Sequence, residues 1–499
     1  MYNQLMISCI SNLKAVLPPV LFFFLGSASI LGFAPFNLYL FPIFTLLLFL
    51  LINQKNNLYP YMYSISFGLG FFLAGLYWIY ISLNIYGQMP SVLAAVSTFV
   101  FCLFLSFFFI PLCSLKYRFP ILFFPALFTI IEWIRSFIFT GFPWLSYGYS
   151  QIYDSPLSGY FAIIGVHGVT FLILLTVMIC YKTIVTKQNM SRLLLILIII
   201  SIWFGGYLLK KVKWTTPQGE PISISLVQGN ISQDKKWDNA YIKESFNKYI
   251  KMIENSSASL IILPETSIPV LQQNIPNQFR ERLSQHAKKN NGNILYGVIE
   301  KDEGEYFNSA ISVGIHGNQK YQKYHLVPFG EFIPFKTILQ FVYENWLNIP
   351  FNDISRGPKN QKPLTIEGNK IAINICYEDV FGNEIIKPLP EANILVNLSN
   401  DAWYGESIAS QQHLQISQAR AIETGRMMVR ATNTGATAII NTDGKLVKQL
   451  PLFKEDTLHG YVQGYKGETP YIKYGNFPIV ILSFLILLYC LLKRKISKK

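Results

Sequence analysis

Cys376 closes an alternating run, KIAINICYED over 370–379, in which Ile371, Ile373 and Ile375 point one way and Ala372, Asn374 and Cys376 the other. Such a run delivers a thiol to the end of a strand, with an acid, Glu378, two positions on. Two further groups end strand-like runs of their own: Glu265 in LIILPETSIP and Lys323 in YQKYHLVPFGEFIP. A cysteine, a glutamate and a lysine supply a nucleophile, a base and a cation, the set that acyl transfer needs. Free cysteine has a pKa near ~8.5, so little of it is thiolate at neutral pH, and a carboxylate must take its proton during attack on an ester or amide carbonyl. Attack creates an oxyanion, and each pre-aimed donor stabilises it by about 3 kcal/mol. A lysine ammonium and the backbone N–H after the nucleophile fill that role. Lys323 gains weight from its setting, since the uncharged stretch that follows encloses one acid, Glu331.

Other residues with chemical potential carry less. The histidines (His167, His286, His316, His325, His413 and His459) show no HExxH or other metal spacing, so no metal site is expected. His325 or His413 could still pair with Cys376 in a Cys–His scheme. None of the six cysteines forms a CxxC pair, and all but Cys376 lie in or beside apolar segments, which argues against zinc and against a disulfide framework. GLGFFLAG (67–74) reads as a small-residue packing face in an apolar helix rather than a dinucleotide fingerprint, so no cofactor is expected.

The elements around these residues are of two kinds. Only 14% of the 499 residues are charged and 51% are hydrophobic, where a soluble globular chain has about 25% charged residues. An integral membrane protein with a soluble part is implied. Apolar runs long enough to span the ~30 Å hydrocarbon layer fall at about 16–33, 37–53, 65–84, 91–113, 120–139, 157–181 and 193–209, with an eighth at about 476–492. The first lacks a small-residue cleavage site and reads as a retained span. Lys55, then Lys116 and Arg118, then Lys182, Lys187 and Arg192 lie in alternate loops, on the same side as the basic tail from Lys493 to Lys499. The positive-inside rule puts both termini in the cytoplasm and residues 210–475 outside. That tail also accounts for part of the +14 formal charge, and no basic stripe interleaved with aromatics suggests a nucleic-acid partner. Glu132 and Arg135, three residues apart near the outer end of the fifth run, are expected to pair or to anchor a lipid headgroup.

The region 210–475 alternates strands with helices. Strand patterns cover 222–230, 259–265, 293–300, FNSAISVG, IAINICYE, NILVNLSN and ATAIINTDG. Helices are expected near 239–255, 276–290 and 410–425, the first with Ile242, Phe246, Tyr249, Ile250 and Ile253 on one face. This is an α/β domain of sheets covered by helices.

At this level a resemblance becomes specific. LPETS, KYHLVPFGEFIP, NICYEDVFG and NLSNDAWYGES together resemble the nitrilase superfamily. VQGNISQDKKWD, RAIETGRMMVRATNTG and EWIRSFIFTGFPWLSYGYSQ narrow the resemblance to its bacterial membrane branch, the apolipoprotein N-acyltransferases. It extends in order over nearly the whole chain. It implies a multi-span helical membrane domain carrying an α/β nitrilase-like αββα sandwich, with a triad of Glu265, Lys323 and Cys376. It further implies supporting roles for Trp237, Asn308, Glu331, Tyr377 and Glu378, and substrate contact for Trp403. Three positions depart from the pattern, which has proline where Ser232, Gly382 and Ser410 stand or close by. These lie at turns and leave the triad intact.

The implied reaction takes an acyl chain, usually from the sn-1 position of phosphatidylethanolamine, onto Cys376 as a thioester. It then passes the chain to the α-amine of a diacylglyceryl-cysteine apolipoprotein at the outer face of the bacterial inner membrane. Extracting one sixteen-carbon chain from a bilayer costs on the order of 12 kcal/mol, so a membrane-embedded catalyst is suited to a phospholipid donor. A membrane-tethered amidase would use the same triad but needs only one span. A transporter or scaffold would account for the spans and leave the thiol, acid and lysine without a purpose.

Overall fold

The computed structural model describes residues 18–53, 59–116, 121–234, 236–334 and 353–496. Cys9, Lys55, Arg118, Lys498 and Lys499 lie outside the described residues. The chain forms two compact units: residues 1–80, 92–212 and 476–499 make one, and Ile81–Ser91 with Lys213–Gly475 make the other.

In the first unit every expected apolar run contains a helix, but the lengths differ from the expectation. Ser91–Cys113, Pro156–Val185, Asn189–Leu209 and Phe477–Arg494 are each long and apolar enough to cross a membrane. Pro60–Leu76 and Trp78–Tyr86 form a pair bent by 50° where one straight span was expected, and Pro18–Gly32 and Phe41–Asn53 are shorter apolar helices. The fifth run, expected over 120–139, is a helix only over Phe123–Arg135. Beyond its end no α-helix can continue through Phe139, Thr140 and Gly141, which all take positive φ. The buried pair Glu132 and Arg135 holds the loop that follows. Arg135 donates to the carbonyls of Phe142 (2.6 Å) and Trp144 (2.8 Å) and to Ser146 Oγ. Glu132 accepts from the Tyr147 N–H at 3.0 Å and from Thr170 Oγ1 at 2.7 Å. These charges therefore fix the aromatic loop FPWLSY internally.

The second unit is a four-layer αββα sandwich. One sheet contains β1 (Thr216–Gln228), β2 (Leu260–Ile262), β3 (Ile268–Leu271), β4 (Asn293–Asp302), β5 (Glu305–Gly314), β6 (Gln319–Gln322) and β13 (Asp456–Lys466). Its order is β13-β1-β2-β4-β5-β6, with β3 also paired to β4. The other contains β7 (Leu364–Ile366), β8 (Asn369–Ile375), β9 (Ile394–Ser399), β10 (Met428–Thr432), β11 (Ala438–Ile440) and β12 (Leu446–Gln449), paired in the reverse of chain order. Alternation along the strands builds the layers. Ile222, Ile224 and Leu226 of β1 meet Ile371, Ile373 and Ile375 of β8 and Val396 of β9 in one core between the sheets. The opposite faces pack under helices: Tyr249, Ile250 and Ile253 of Asn239–Glu254 and Leu283 of Asn277–Lys289 cover the first sheet, and Leu414 and Ala421 of Ala409–Thr424 cover the second. The first of these helices starts where expected because Asp238 caps it, accepting from the Ala240 N–H at 2.9 Å, a bond worth about 1 kcal/mol.

Candidate active site

The strands β1, β2, β4 and β6 run in one direction in the first sheet, as do β8, β9 and β10 in the second. Ligand sites in α/β folds form beyond the carboxyl ends of such strands. Here those ends deliver Lys236 after β1, Glu265 after β2, Lys323 after β6, Cys376 after β8 and Asn400 after β9.

Cys376 does not continue the alternation of β8 as the sequence pattern suggested. The strand stops at Ile375, and Cys376 opens a 3₁₀ turn, Cys376–Val380, with φ +54°. A non-glycine residue in this left-handed region costs of order 1–3 kcal/mol and persists only where its surroundings enforce it. Glu378 supplies part of that enforcement. Its carboxylate accepts the Ile375 N–H at 2.7 Å, the Tyr324 N–H at 2.8 Å, the His325 N–H at 3.1 Å and the Tyr321 hydroxyl at 3.0 Å. Glu378 therefore ties the nucleophile's turn to the segment after Lys323. Burial pushes its carboxyl up to about 7, against the pull of those N–H groups and of Lys323.

A second buried cluster grips the same turn from behind. His413 lies between Asp379 (Nε2 to Oδ1, 2.8 Å) and Asp401 (Nδ1 to Oδ1, 3.0 Å), with Nε2 also 3.3 Å from the Cys376 carbonyl. Arg430 completes it, 2.8 Å from Asp379 Oδ2 and 3.4 Å from Asp401 Oδ2. The two aspartates raise the His413 pKa to about 9 despite burial and the repulsion of Arg430, and in turn are themselves held below the usual carboxylate range by His413 and Arg430. The ring nitrogens of His413 thus meet both aspartates, the Cys376 carbonyl and Arg430 Nη2 (3.1 Å from Nδ1), and His325 stacks on Phe381 at 3.6 Å.

Glu265, Lys323, Glu331 and Asn308 form one network. Asn308 Nδ2 donates to Glu265 Oε1 and to Glu331 Oε1, each at 2.8 Å. Lys323 Nζ lies 3.3 Å from Glu265 Oε1 and 2.9 Å from Glu331 Oε2. The other Glu265 oxygen accepts the Asn400 N–H at 2.9 Å, and the Val327 N–H orients Glu331 at 2.8 Å. Glu331 and Glu265 hold the Lys323 pKa above the usual lysine range although burial opposes it. Burial and the Glu265 charge push the Cys376 thiol well up, so it rests protonated and needs a base in order to react. Gly297 of β4 lets the Glu265 turn approach: a Cβ there would stand 2.5 Å from Thr266 N and 2.6 Å from the Pro264 carbonyl oxygen.

The remaining expected residues spread out. Tyr377 is buried one residue after the nucleophile, its ring 5.1 Å from that of Phe381. Trp403 is half-buried in the 3₁₀ turn Asp401–Tyr404; its carbonyl accepts from Ser82 Oγ at 2.7 Å and its ring meets Tyr86 edge-on at 6.2 Å. Trp237 packs against Ile299, Leu326 and Ile354. Its neighbour Lys236 turns inward instead, and sequence reasoning missed it, as it missed Asn400 and the His413 cluster. Lys236 and Asn400 lay inside quoted motifs and His413 did not, and one-dimensional spacing does not say which residue faces the thiol. Of the departures, Gly382 abuts Arg420 and Tyr471, leaving no room for a proline ring, and Ser232 is exposed and bonded to Asp234. Ser410 is buried with its hydroxyl unpaired among the described residues.

Comparison with known proteins agrees with this geometry. The carbon-nitrogen hydrolase family model matches residues 223–471, and the apolipoprotein N-acyltransferase N-terminal domain model matches residues 25–179. The apolipoprotein N-acyltransferase of Nitrosomonas europaea is 41% identical over 482 residues, covering 93% of this chain and 95% of its own. That of Ralstonia nicotianae is 38% identical, covering 94% of this chain and 92% of its own. Among solved structures, a CN-hydrolase superfamily protein from Xanthomonas campestris aligns with 53% of this chain and 97% of its own, at 17% identity and a TM-score of 0.37. A buried thiol on a strained turn, facing a carboxylate and a lysine, thus coincides with end-to-end similarity to curated relatives: the chain belongs to the apolipoprotein N-acyltransferase family.

Proposed function

We propose that this acyltransferase moves an acyl chain from a membrane phospholipid to the N-terminal amine of a diacylglyceryl-cysteine apolipoprotein, through a thioester on Cys376. Glu265 takes the thiol proton as Sγ attacks the ester carbonyl. The oxyanion of the tetrahedral intermediate is stabilised by the Lys323 ammonium and the Tyr377 N–H. The carbonyl–oxygen bond breaks, and Glu265 returns the proton to the departing lysophospholipid oxygen. In the second half-reaction the acceptor amine attacks the thioester and loses its proton to Glu265, the carbon–sulfur bond breaks, and the proton returns to the thiolate. Glu331 and Asn308 keep Lys323 charged and Glu265 aimed. Phosphatidylethanolamine is the proposed donor, and Trp403, with Trp237, is the proposed substrate contact.

The observation that carries this reading is the shared carboxylate. Glu265 Oε1 receives both Asn308 and Lys323, which orients the proposed base for a thiol that burial keeps protonated. The relatives' names supply the acceptor class. In the proposed setting the chain crosses the bacterial inner membrane eight times, with residues 210–475 on the periplasmic side. Incubating the purified protein with phospholipid labelled in its sn-1 chain tests the reading. A labelled acyl group on the peptide containing Cys376 supports it, and label on no cysteine refutes it.

A further inference from the structure

Lys236 holds a second ammonium in the site, and no step above uses it. The side chain is 3% exposed. Its Nζ donates to Thr266 Oγ1 at 2.6 Å and to the Glu265 carbonyl oxygen at 3.3 Å, both neutral acceptors. An ammonium has three N–H donors. Among the described residues neither a third acceptor nor a carboxylate within ion-pair distance meets this one. Lys323, across Glu265, has two carboxylates. A buried cation without a counter-ion is costly, and packing alone would be served as well by methionine. The acceptors it does have lie on the Glu265–Thr266 turn, where Thr266 is held at φ +45°. The charge that opposes its desolvation in the resting protein is Glu265, on the turn after β2; Cys376, on the turn after β8, would add to it only as a thiolate. On its own turn, Asp234 is exposed and bonded to Ser232.

We propose that Lys236 is a positioning residue for acyl transfer: it pins the strained turn that carries Glu265, and its positive charge favours the developing charge on the Cys376 sulfur. The inference rests on the proposed thioester reaction. Burial lowers the Lys236 pKa to about 8, so the ammonium is lost at mildly alkaline pH. The rate of Cys376 acylation should then fall as pH rises through that range, although a higher pH favours loss of the thiol proton.

The test measures acyl-Cys376 formation from labelled phospholipid, without acceptor, between pH 6 and 10, in the full-length protein. Lys236→Arg keeps the charge at all these pH values, and Lys236→Met removes it. The expected result is that Lys236→Arg shifts the alkaline fall upward by a unit or more. Lys236→Met should slow acylation about 10–100-fold near pH 7 and show no fall. An alkaline fall at the same pH in Lys236→Arg as in the parent overturns the proposal, even if Lys236→Met fails to fold. A parent that forms no labelled adduct at any pH instead overturns the thioester reading itself.

Discussion

At the residue scale, the proposed mechanism gives proton and acyl transfer to Glu265, Lys323 and Cys376 and leaves their neighbours to hold them. Glu265→Gln should block thioester formation outright, because the amide cannot accept the thiol proton and the thiol rests protonated. Lys323→Ala should slow both half-reactions by about two to three orders of magnitude, the usual cost of a lost oxyanion donor, as read by single-turnover acylation and aminolysis. His413 gives a prediction of a different kind. Its folded pKa, about 9, lies above the ordinary histidine value, so its contribution to stability is full below about 6.5 and is lost as pH rises through 9. His413→Gln should therefore lower stability by about 3–5 kcal/mol at pH 6, as expected for breaking a buried charge pair, and by progressively less toward pH 9.5. Thermal unfolding in detergent at several pH values checks this; a pH-independent loss would mean that the imidazole is not charged in the fold. Glu265, Lys323, Glu331 and Cys376, the residues of the proposed site, were legible in the sequence because acids, a lysine and a cysteine at strand ends are conspicuous there. Lys236, Asn400 and His413 were not, since a charge run, an asparagine and a histidine at the start of a helix are ordinary until the fold brings them to one place.

At the element scale, function depends on where strands stop. The periodicity of β8 was readable through Ile375, but alternation carried one residue too far and put Cys376 on the wrong face. A left-handed turn leaves no mark in a hydrophobic pattern. The requirement at Gly297 is likewise invisible without its neighbours. Gly297→Ala should force the Pro264–Thr266 backbone away, because the new methyl would meet backbone atoms that cannot rotate aside. Overpacking of this kind costs about 1–3 kcal/mol. A shift of the base by about 1 Å costs near 10²-fold in rate. Comparing the melting temperature and acylation rate of Gly297→Ala with the parent checks both, and an unchanged rate would show that the Glu265 turn tolerates displacement. Helix positions in the α/β unit were read well, the first of them from its amphipathic face. The lengths of the apolar helices were not, because hydropathy does not register the bend after Leu76 or the exit after Arg135.

For the whole molecule, the account joins a soluble hydrolase fold to a donor that stays in a bilayer. Alternating loop charge predicts that reporter fusions after Gly304 and after Lys499 report opposite sides of the membrane; the same side for both would rule out the eight-span topology. The central claim is that one thiol carries the acyl chain between two lipid-anchored partners, and the fate of that acyl group tests it most directly. The protein is loaded with phospholipid labelled in its sn-1 chain, freed of excess donor, and followed by mass spectrometry with and without a diacylglyceryl lipopeptide bearing a free α-amine. The account predicts a labelled thioester on Cys376 that persists without the lipopeptide and is discharged onto its amine when it arrives. A thioester that hydrolyses equally fast in its absence, or label reaching the lipopeptide in Cys376→Ser, would contradict it.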